Sequence, residues 1–260
     1  MGSGLGTLTE QWNGMQWGLV NSPSPGSEYN DLNGVAAIAS NDIWAVGSYS
    51  NNPQVPDTNT LIEHWNGIMW SVVSSPSPGA LSNSLSAIAA VSSNDVWTVG
   101  NSDSNGSQTL IEHWNGTNWS VVSSPSPNGD AVLNGIAALS ASNVWAVGNT
   151  FASGSSGIKS GGGSVLQQTL IEHWNGSSWS VIASPSPGSS NNALNGVTAM
   201  SASNLWAVGF QQNSSGVQQT LIEQWNGSSW NVVSSPSSNS TGNALNGVAA
   251  VAGSSVWAVG

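Results

Sequence analysis

The stretch TLIEHWNG at Thr60–Gly67 occurs again, letter for letter, at Thr109–Gly116 and Thr169–Gly176. Close variants stand at Thr7–Gly14 (TLTEQWNG) and Thr220–Gly227 (TLIEQWNG). In every copy a second Trp follows the first after five residues, and a Val-rich or hydrophobic run then leads to Ser-Pro. Near-verbatim repetition at intervals of about 50 residues is typical of repeat architectures.

A second repeated block completes the unit. It reads LNGVAAIASNDIWAVG at Leu32–Gly47, and its counterparts end at Gly100, Gly148, Gly209 and Gly260. Each of these blocks carries one further Trp, so the repeats account for all 15 Trp of the chain. Burial of an indole ring contributes several kcal/mol, and so many rings predict a folded chain in spite of the abundant Ser, Asn and Gly.

Each unit divides into four strand-length segments that are rich in β-branched and aromatic residues and bounded by Asn, Gly, Ser or Pro. In the first full unit these segments are Leu32–Ala39, Ile43–Gly47, Thr60–Asn66 and Trp70–Ser75. The Asn-Gly pair after the third segment predicts a short hairpin, because Gly adopts positive φ without strain. The pattern predicts an all-β fold, a five-bladed β-propeller with four antiparallel strands per blade.

The two ends of the chain carry complementary parts of a unit. The first repeat block supplies third and fourth strands, and the last supplies first and second strands. We therefore expect residues 7–26 and 243–260 to form one blade, shared between the N- and C-termini, that closes the ring and leaves no open strand edge. Residues 1–6 resemble a cloned or designed start and belong to no blade. The other blades of this single domain, 1–260, are predicted at 27–79, 80–128, 129–188 and 189–242.

The composition excludes several classes of function. The chain has a single Lys or Arg, no Cys and a formal net charge of −11. Nucleic-acid binding depends on Lys and Arg to neutralise phosphates, so we predict no nucleic-acid partner. Without Cys there is no disulfide and no thiolate metal site. No apolar run reaches about 18 residues, and we predict no membrane partner.

Two repeat positions could in principle carry chemistry. One position of the third strand is always Glu, and the next residue is His in three units and Gln in two. Paired-carboxylate catalysis needs two acids in different environments, which five equivalent positions do not provide. We interpret the Glu as buried acceptors of hydrogen bonds from backbone or indole N–H groups. Gln replaces a hydrogen bond of His but not its proton transfer or metal ligation. We predict no enzyme, no metal and no cofactor.

The blade sequences resemble a known family. The inner strands IAALSASNVWAVG at Ile136–Gly148 and the outer strands EHWNGTNWSVVSSPSP at Glu112–Pro127 are similar to kelch-type propeller blades. The resemblance covers nearly the whole chain, although one Gly follows the second strand where kelch blades usually carry two. It implies a propeller that serves as a repeat module.

The units differ most in the loop between the second and third strands. Residues that bind partners are often placed on loops that a rigid scaffold positions. This variable-loop face, which includes the lone Lys159, is therefore the predicted surface for a protein or glycan partner. The four complete loops are predicted at Ser48–Asn59, Asn101–Gln108, Asn149–Gln168 and Phe210–Gln219.

We predict a non-enzymatic interaction scaffold, a monomeric propeller from a secreted or cell-surface bacterial protein or one engineered from it. The alternative is a glycan-binding lectin with several equivalent sites, in which an exposed indole stacks on a sugar ring. The exposure of the indoles separates the two hypotheses. The binding residues of the lectin alternative are the second Trp of each outer hairpin, namely Trp17, Trp70, Trp119, Trp179 and Trp230.

Overall fold

The computed structural model describes residues 6–52, 57–104, 106–151, 166–237, 242–251 and 255–260. These ranges contain twenty β-strands and one 3₁₀ turn at Pro127–Gly129. Within them there is no helix long and apolar enough to cross a membrane. Lys159 and most of the longest predicted loop lie outside the described residues.

The strands form four four-stranded sheets and two two-stranded pairs. The N-terminal pair consists of β1 (Thr9–Trp12) and β2 (Trp17–Val20). Sheet 1 consists of β3 (Tyr29–Ala39), β4 (Asp42–Ser50), β5 (Asn59–Trp65) and β6 (Trp70–Val72). Sheet 2 consists of β7 (Ser82–Ser92), β8 (Asp95–Asp103), β9 (Ser107–Trp114) and β10 (Trp119–Val121). Sheet 3 consists of β11 (Ala131–Ser140), β12 (Asn143–Phe151), β13 (Gln167–Trp174) and β14 (Trp179–Val181). Sheet 4 consists of β15 (Asn192–Ser201), β16 (Asn204–Gln212), β17 (Gln218–Trp225) and β18 (Trp230–Val232). The C-terminal pair consists of β19 (Gly247–Val251) and β20 (Ser255–Val259).

All paired strands are antiparallel, and each complete sheet follows the order of its strands in the chain. The predicted all-β fold of repeated four-stranded antiparallel sheets is thereby confirmed. The outer hairpin of sheet 1 also has the predicted turn. Trp65 pairs with Trp70, Gly67 has φ 93°, and the Asn66 side-chain oxygen accepts a hydrogen bond from Met69 N at 3.0 Å.

The inner strands are longer than predicted. The first strand of sheet 1 begins at Tyr29, because Asp31 pairs with Ser48 beyond the end of the predicted second strand. In each complete sheet the second strand continues into the predicted variable loop. The outermost strand is shorter, and β6 ends at Val72. The residues after it turn back, since Thr60 Oγ1 donates a hydrogen bond to Pro76 O at 2.8 Å.

A bulge in the first strand joins neighbouring sheets. The register shifts between Leu32 and Gly34, and the Asn33 amide donates to Leu85 O of sheet 2 at 3.0 Å. The same bond runs from Asn134 to Leu194 O at 2.9 Å. A side chain at Gly34 would stand 3.1 Å from the Ala87 Cα, so close approach of neighbouring first strands requires small residues here.

The chain divides into two compact units. The first comprises Met1–Asn105 and Ile111–Val122, and the second comprises Gly106–Leu110 and Ser123–Gly260. The first unit contains the N-terminal pair and sheet 1, and the second contains sheets 3 and 4 and the C-terminal pair. The apolar core of the second unit includes Trp145, Val147, Ile171, Leu194, Leu205, Leu221 and Trp230.

Candidate functional site

The second Trp of each outer hairpin is buried in the four complete sheets. Trp70, Trp119, Trp179 and Trp230 are between 4% and 8% exposed. Trp17, in the N-terminal pair, is 65% exposed. A sugar ring stacks on an accessible indole face, and four of the five residues of the lectin hypothesis do not present one.

A third Trp from the preceding sheet covers these buried indoles. Trp44 of sheet 1 lies with its ring centroid 5.1 Å from that of Trp114 and 5.4 Å from that of Trp119. In the second unit Trp145 has the same arrangement, 5.0 Å from Trp225 and 5.7 Å from Trp230. The two closer contacts are tilted and the other two are edge-on, and edge-to-face contact is a favourable geometry for aromatic rings. Sheets 1 and 3 therefore each supply a single Trp to the two Trp of the next sheet in the chain.

The first unit has an open cleft where such a Trp would lie for sheet 1. The cleft has a volume of about 400 Å³. The indoles of Trp65 and Trp70 line it on the side of sheet 1, and those of Trp12 and Trp17 line it on the side of the N-terminal pair. Four further lining residues are apolar, namely Val20, Val35, Ala37 and Ile43, and two are polar, Glu10 and Gln11.

The exposure of Val35 shows that this face of sheet 1 is uncovered. It is 68% exposed, whereas its equivalents in the other sheets, Ile88, Ile136 and Val197, are 8–9% exposed. All four occupy the same register position. Each pairs with the residue that directly follows the Trp of the second strand. The difference therefore lies in what covers this face of sheet 1.

The second unit has the opposite kind of exposed surface. Trp257 and Val259 of β20 are 69% and 66% exposed, while their equivalents Trp145 and Val147 are buried. The C-terminal pair is nevertheless placed as a first and second strand should be, because Asn195 donates a hydrogen bond to Leu245 O at 2.8 Å. It presents an accessible indole on a strand pair.

The repeated Glu is buried in all four complete sheets. Burial raises the pKa of Glu63 to about 7 and the pKa of Glu112 and Glu172 to about 8. The carboxyl of Glu223 also has a pKa of about 8, raised by burial and lowered in part by a hydrogen bond of 3.0 Å from Ser184 Oγ.

The expected hydrogen bonds to these carboxyl groups are otherwise missing. Within the described ranges, no donor lies within hydrogen-bond distance of the carboxyl oxygens of Glu63, Glu112 or Glu172. The prediction of buried carboxyls is confirmed for the four complete sheets, whereas Glu10 of the N-terminal pair is exposed. The prediction that backbone or indole N–H groups bind the buried carboxyls was wrong. Desolvation without a donor favours the neutral acid, which is why burial raises the pKa of these three carboxyl groups.

The His positions form one structural bond in every complete sheet. His64 Nε2 lies 2.8 Å from Asp42 Oδ1, and His113 Nε2 lies 2.8 Å from Asp95 Oδ1. In sheet 4 the amide of Gln224 donates to Asn204 Oδ1 at 3.1 Å. Gln thus replaces the hydrogen bond of His, as the sequence predicts. In the described part of the chain, no three His, Asp or Glu side chains are grouped so that they could hold a metal ion.

Comparison with solved structures finds a structural likeness. No protein-family model matches the chain, and no curated protein matches it. A solved structure of YCF48 bound to D1 peptide is similar with a TM-score of 0.49 and 16% sequence identity. The likeness covers 88% of this chain, and this chain spans only 61% of the length of that one.

Proposed function

We propose that the protein is a non-catalytic interaction scaffold, a five-bladed propeller of kelch-type blades that the two terminal pairs close. The observation that supports closure is the exposure pattern. The same repeat residues are buried in complete sheets and exposed in the terminal pairs, and each pair contains the strands that the other lacks. Joined, the pairs have four strands in the order of a complete sheet.

The register of closure follows from sheet 1. There Ala45 pairs with Glu63, and the equivalent residues of the terminal pairs are Ala258 and Glu10. We propose that β20 pairs with β1 in this register, which brings Trp257 over Trp65 and Trp70. Closure also supplies a carbonyl, Leu32 O, to the amide of Asn246, which is equivalent to Asn33.

Engineered cysteines test closure, because the chain has no Cys of its own. Glu10→Cys with Ala258→Cys should form a disulfide within a monomer under mild oxidation, since paired residues of adjacent strands bring their Cβ atoms within reach. The matched control is Gln11→Cys with Ala258→Cys, because a shift of one residue places the second side chain on the opposite face. Equal oxidation of the two variants would contradict the proposed register.

The interaction surface of the scaffold is the variable-loop face. The connection of sheet 4 supports this choice because it is ordered: the Asn213 side-chain oxygen accepts hydrogen bonds from Ser215 N and Val217 N, each at 3.0 Å. A rigid turn can present side chains to a partner at low entropic cost. We propose a protein partner, in a secreted or cell-surface setting, because four of the five hairpin indoles of the lectin alternative are buried.

Selection of ligands on the purified chain tests the function. Peptide display and a glycan array should both be screened, and binding should be lost when residues 213–217 are replaced by a Gly-Ser loop. The matched control changes the turn at the other end of the same sheet, 226–229. Ligands that are glycans, or that tolerate the replacement and lose binding with the control, would contradict the proposal.

A further inference from the structure

We infer that the cleft of the first unit is also a docking site for a second copy of this chain, and that its occupant is the C-terminal pair of that copy. The inference rests on the proposed closure, because it uses the same two surfaces between chains. It adds a partner: another molecule of this protein, held by exchange of one strand pair.

The complete sheets define what the cleft accepts. Wherever two complete sheets pack in one unit, the two Trp of an outer hairpin meet the single Trp of a neighbouring second strand, as Trp44 meets Trp114 and Trp119. Trp65 and Trp70 are the corresponding hairpin pair in the cleft. The fitting occupant is thus a strand pair whose second strand has a Trp at this repeat position.

The chain itself supplies this occupant. β20 has the required Trp, and this Trp257 is 69% exposed. Among the described residues β20 pairs only with β19, so its other edge can accept a strand. The first-strand partner is also correct, because Val248 is equivalent to Val35 and pairs with Ala258. The C-terminal pair of a second copy therefore supplies Trp257, Val248 and the second edge of β20 together.

Exchange between two copies leaves no surface unmatched. Each chain carries one cleft and one C-terminal pair, so reciprocal exchange gives a closed, two-fold symmetric dimer in which both copies are complete. Closure within one chain competes with this exchange. The C-terminal pair is tethered to the cleft of its own chain, which gives it an effective concentration of about 1 mM there. The exchanged dimer should therefore accumulate when closure within the chain is blocked.

The net charge of the chain affects the strength of the exchange but does not select the partner. Each copy carries a formal net charge of −11, so two copies repel each other in dilute salt. The lining of the cleft includes one ionisable side chain, Glu10. Raising the ionic strength shortens the Debye length to about 3 Å at 1 M and should strengthen association.

Complementation between two defective chains tests the inference. Trp257→Asp removes the indole of the occupant and leaves the cleft intact. Val35→Asp, at an exposed residue, blocks the cleft and leaves the occupant intact. Neither chain can close on itself, but a mixture has one intact cleft and one intact occupant. We expect each variant alone to be monomeric and the mixture to form a 1:1 heterodimer at roughly 100 µM, well below the effective concentration of the tethered pair.

Cysteines report the contact within that heterodimer. Glu10→Cys is placed in the chain with the intact cleft and Ala258→Cys in the chain with the intact occupant. A disulfide between the two chains is expected, and Gln11→Cys in place of Glu10→Cys should abolish it. If either variant fails to fold by circular dichroism, Trp257→Ala and Val35→Ser replace the charged substitutions.

The outcomes separate this inference from the proposed closure. A mixture that stays monomeric, with both variants folded, overturns exchange, whereas closure is judged by the disulfide within a single unaltered chain. A dimer of either variant alone would also overturn it, because it would place the contact elsewhere.

Discussion

The complete sheets and the terminal pairs share one repeat sequence and differ in burial. Trp44, Trp97 and Trp145 are at most 3% exposed, whereas Trp257 is 69% exposed at the same repeat position. Leu61 is fully buried, and its equivalent Leu8 is 69% exposed. Because the residues are the same, the difference arises from the neighbouring strands. In this repeat, burial depends on the presence of the next strand pair.

Deletion of residues 255–260 should have the largest effect on this contrast. It removes β20 and with it the cover that we propose for the cleft. We expect the free energy of unfolding to fall by about 5 kcal/mol, from the loss of two large apolar side chains and the strand that carries them. Urea denaturation measures this. An unchanged midpoint would mean that the terminal pairs do not close the fold.

Substitution of the Trp at one repeat position, once in a complete sheet and once in the C-terminal pair, tests the same difference in burial. Trp145→Ala should cost about 3–5 kcal/mol, because it empties a packed position between Trp225 and Trp230. With closure, Trp257→Ala should cost nearly as much. Denaturation of both variants at one pH gives the comparison, and a negligible cost at Trp257 would indicate that this indole stays exposed in solution.

The buried carboxyls predict an unusual dependence of stability on pH. In the unfolded chain Glu172 ionises near 4.5, and in the folded chain near 8. As pH rises the unfolded chain loses this proton first, so the folded state is destabilised between pH 4.5 and 8 and no further above. The slope is about 1.4 kcal/mol per pH unit for each such group.

Glu172→Gln measures this contribution, because the amide is neutral at every pH. The variant should unfold with about the same free energy as the wild type at pH 4.5 and be a few kcal/mol more stable at pH 8. Glu28→Gln, at an exposed residue, is the control and should leave the pH dependence of the wild type in place. Parallel curves for Glu172→Gln and the wild type would show that the carboxyl is ionised in the folded protein.

The smallest expected effect is at the His position. His173→Gln should change the free energy of unfolding by less than about 0.5 kcal/mol, since Gln224 makes the equivalent bond to Asn204. Thermal unfolding at pH 7 is sufficient to test this. A loss above about 2 kcal/mol would mean that the ring stacked on Trp145, at 4.2 Å, has a role that the amide cannot replace.

Most of the fold could be predicted because the same strand pattern recurs in five repeats. Strand composition, the Asn-Gly turn and the Trp spacing locate the strands of every sheet to within a few residues. The lectin residues were harder to judge, because Trp70 and Trp17 have similar local sequences and differ only through tertiary neighbours. The missing donors at Glu63, Glu112 and Glu172 could not be predicted either, since hydrogen-bond geometry across packed sheets leaves no pattern in one strand.

The turn that follows each fourth strand has a consequence for how such chains fold and grow. Thr7 binds Ser24 Oγ and Pro23 O in the N-terminal pair as Thr60 binds Ser77 Oγ and Pro76 O in sheet 1. The contacts that hold the end of each outer hairpin therefore lie within one short segment of the chain. Local contacts of this kind favour rapid formation. Duplication of the gene segment that encodes one unit would add a repeat that brings its own turn contacts. Repeat number could therefore change in evolution without a redesign of the blade.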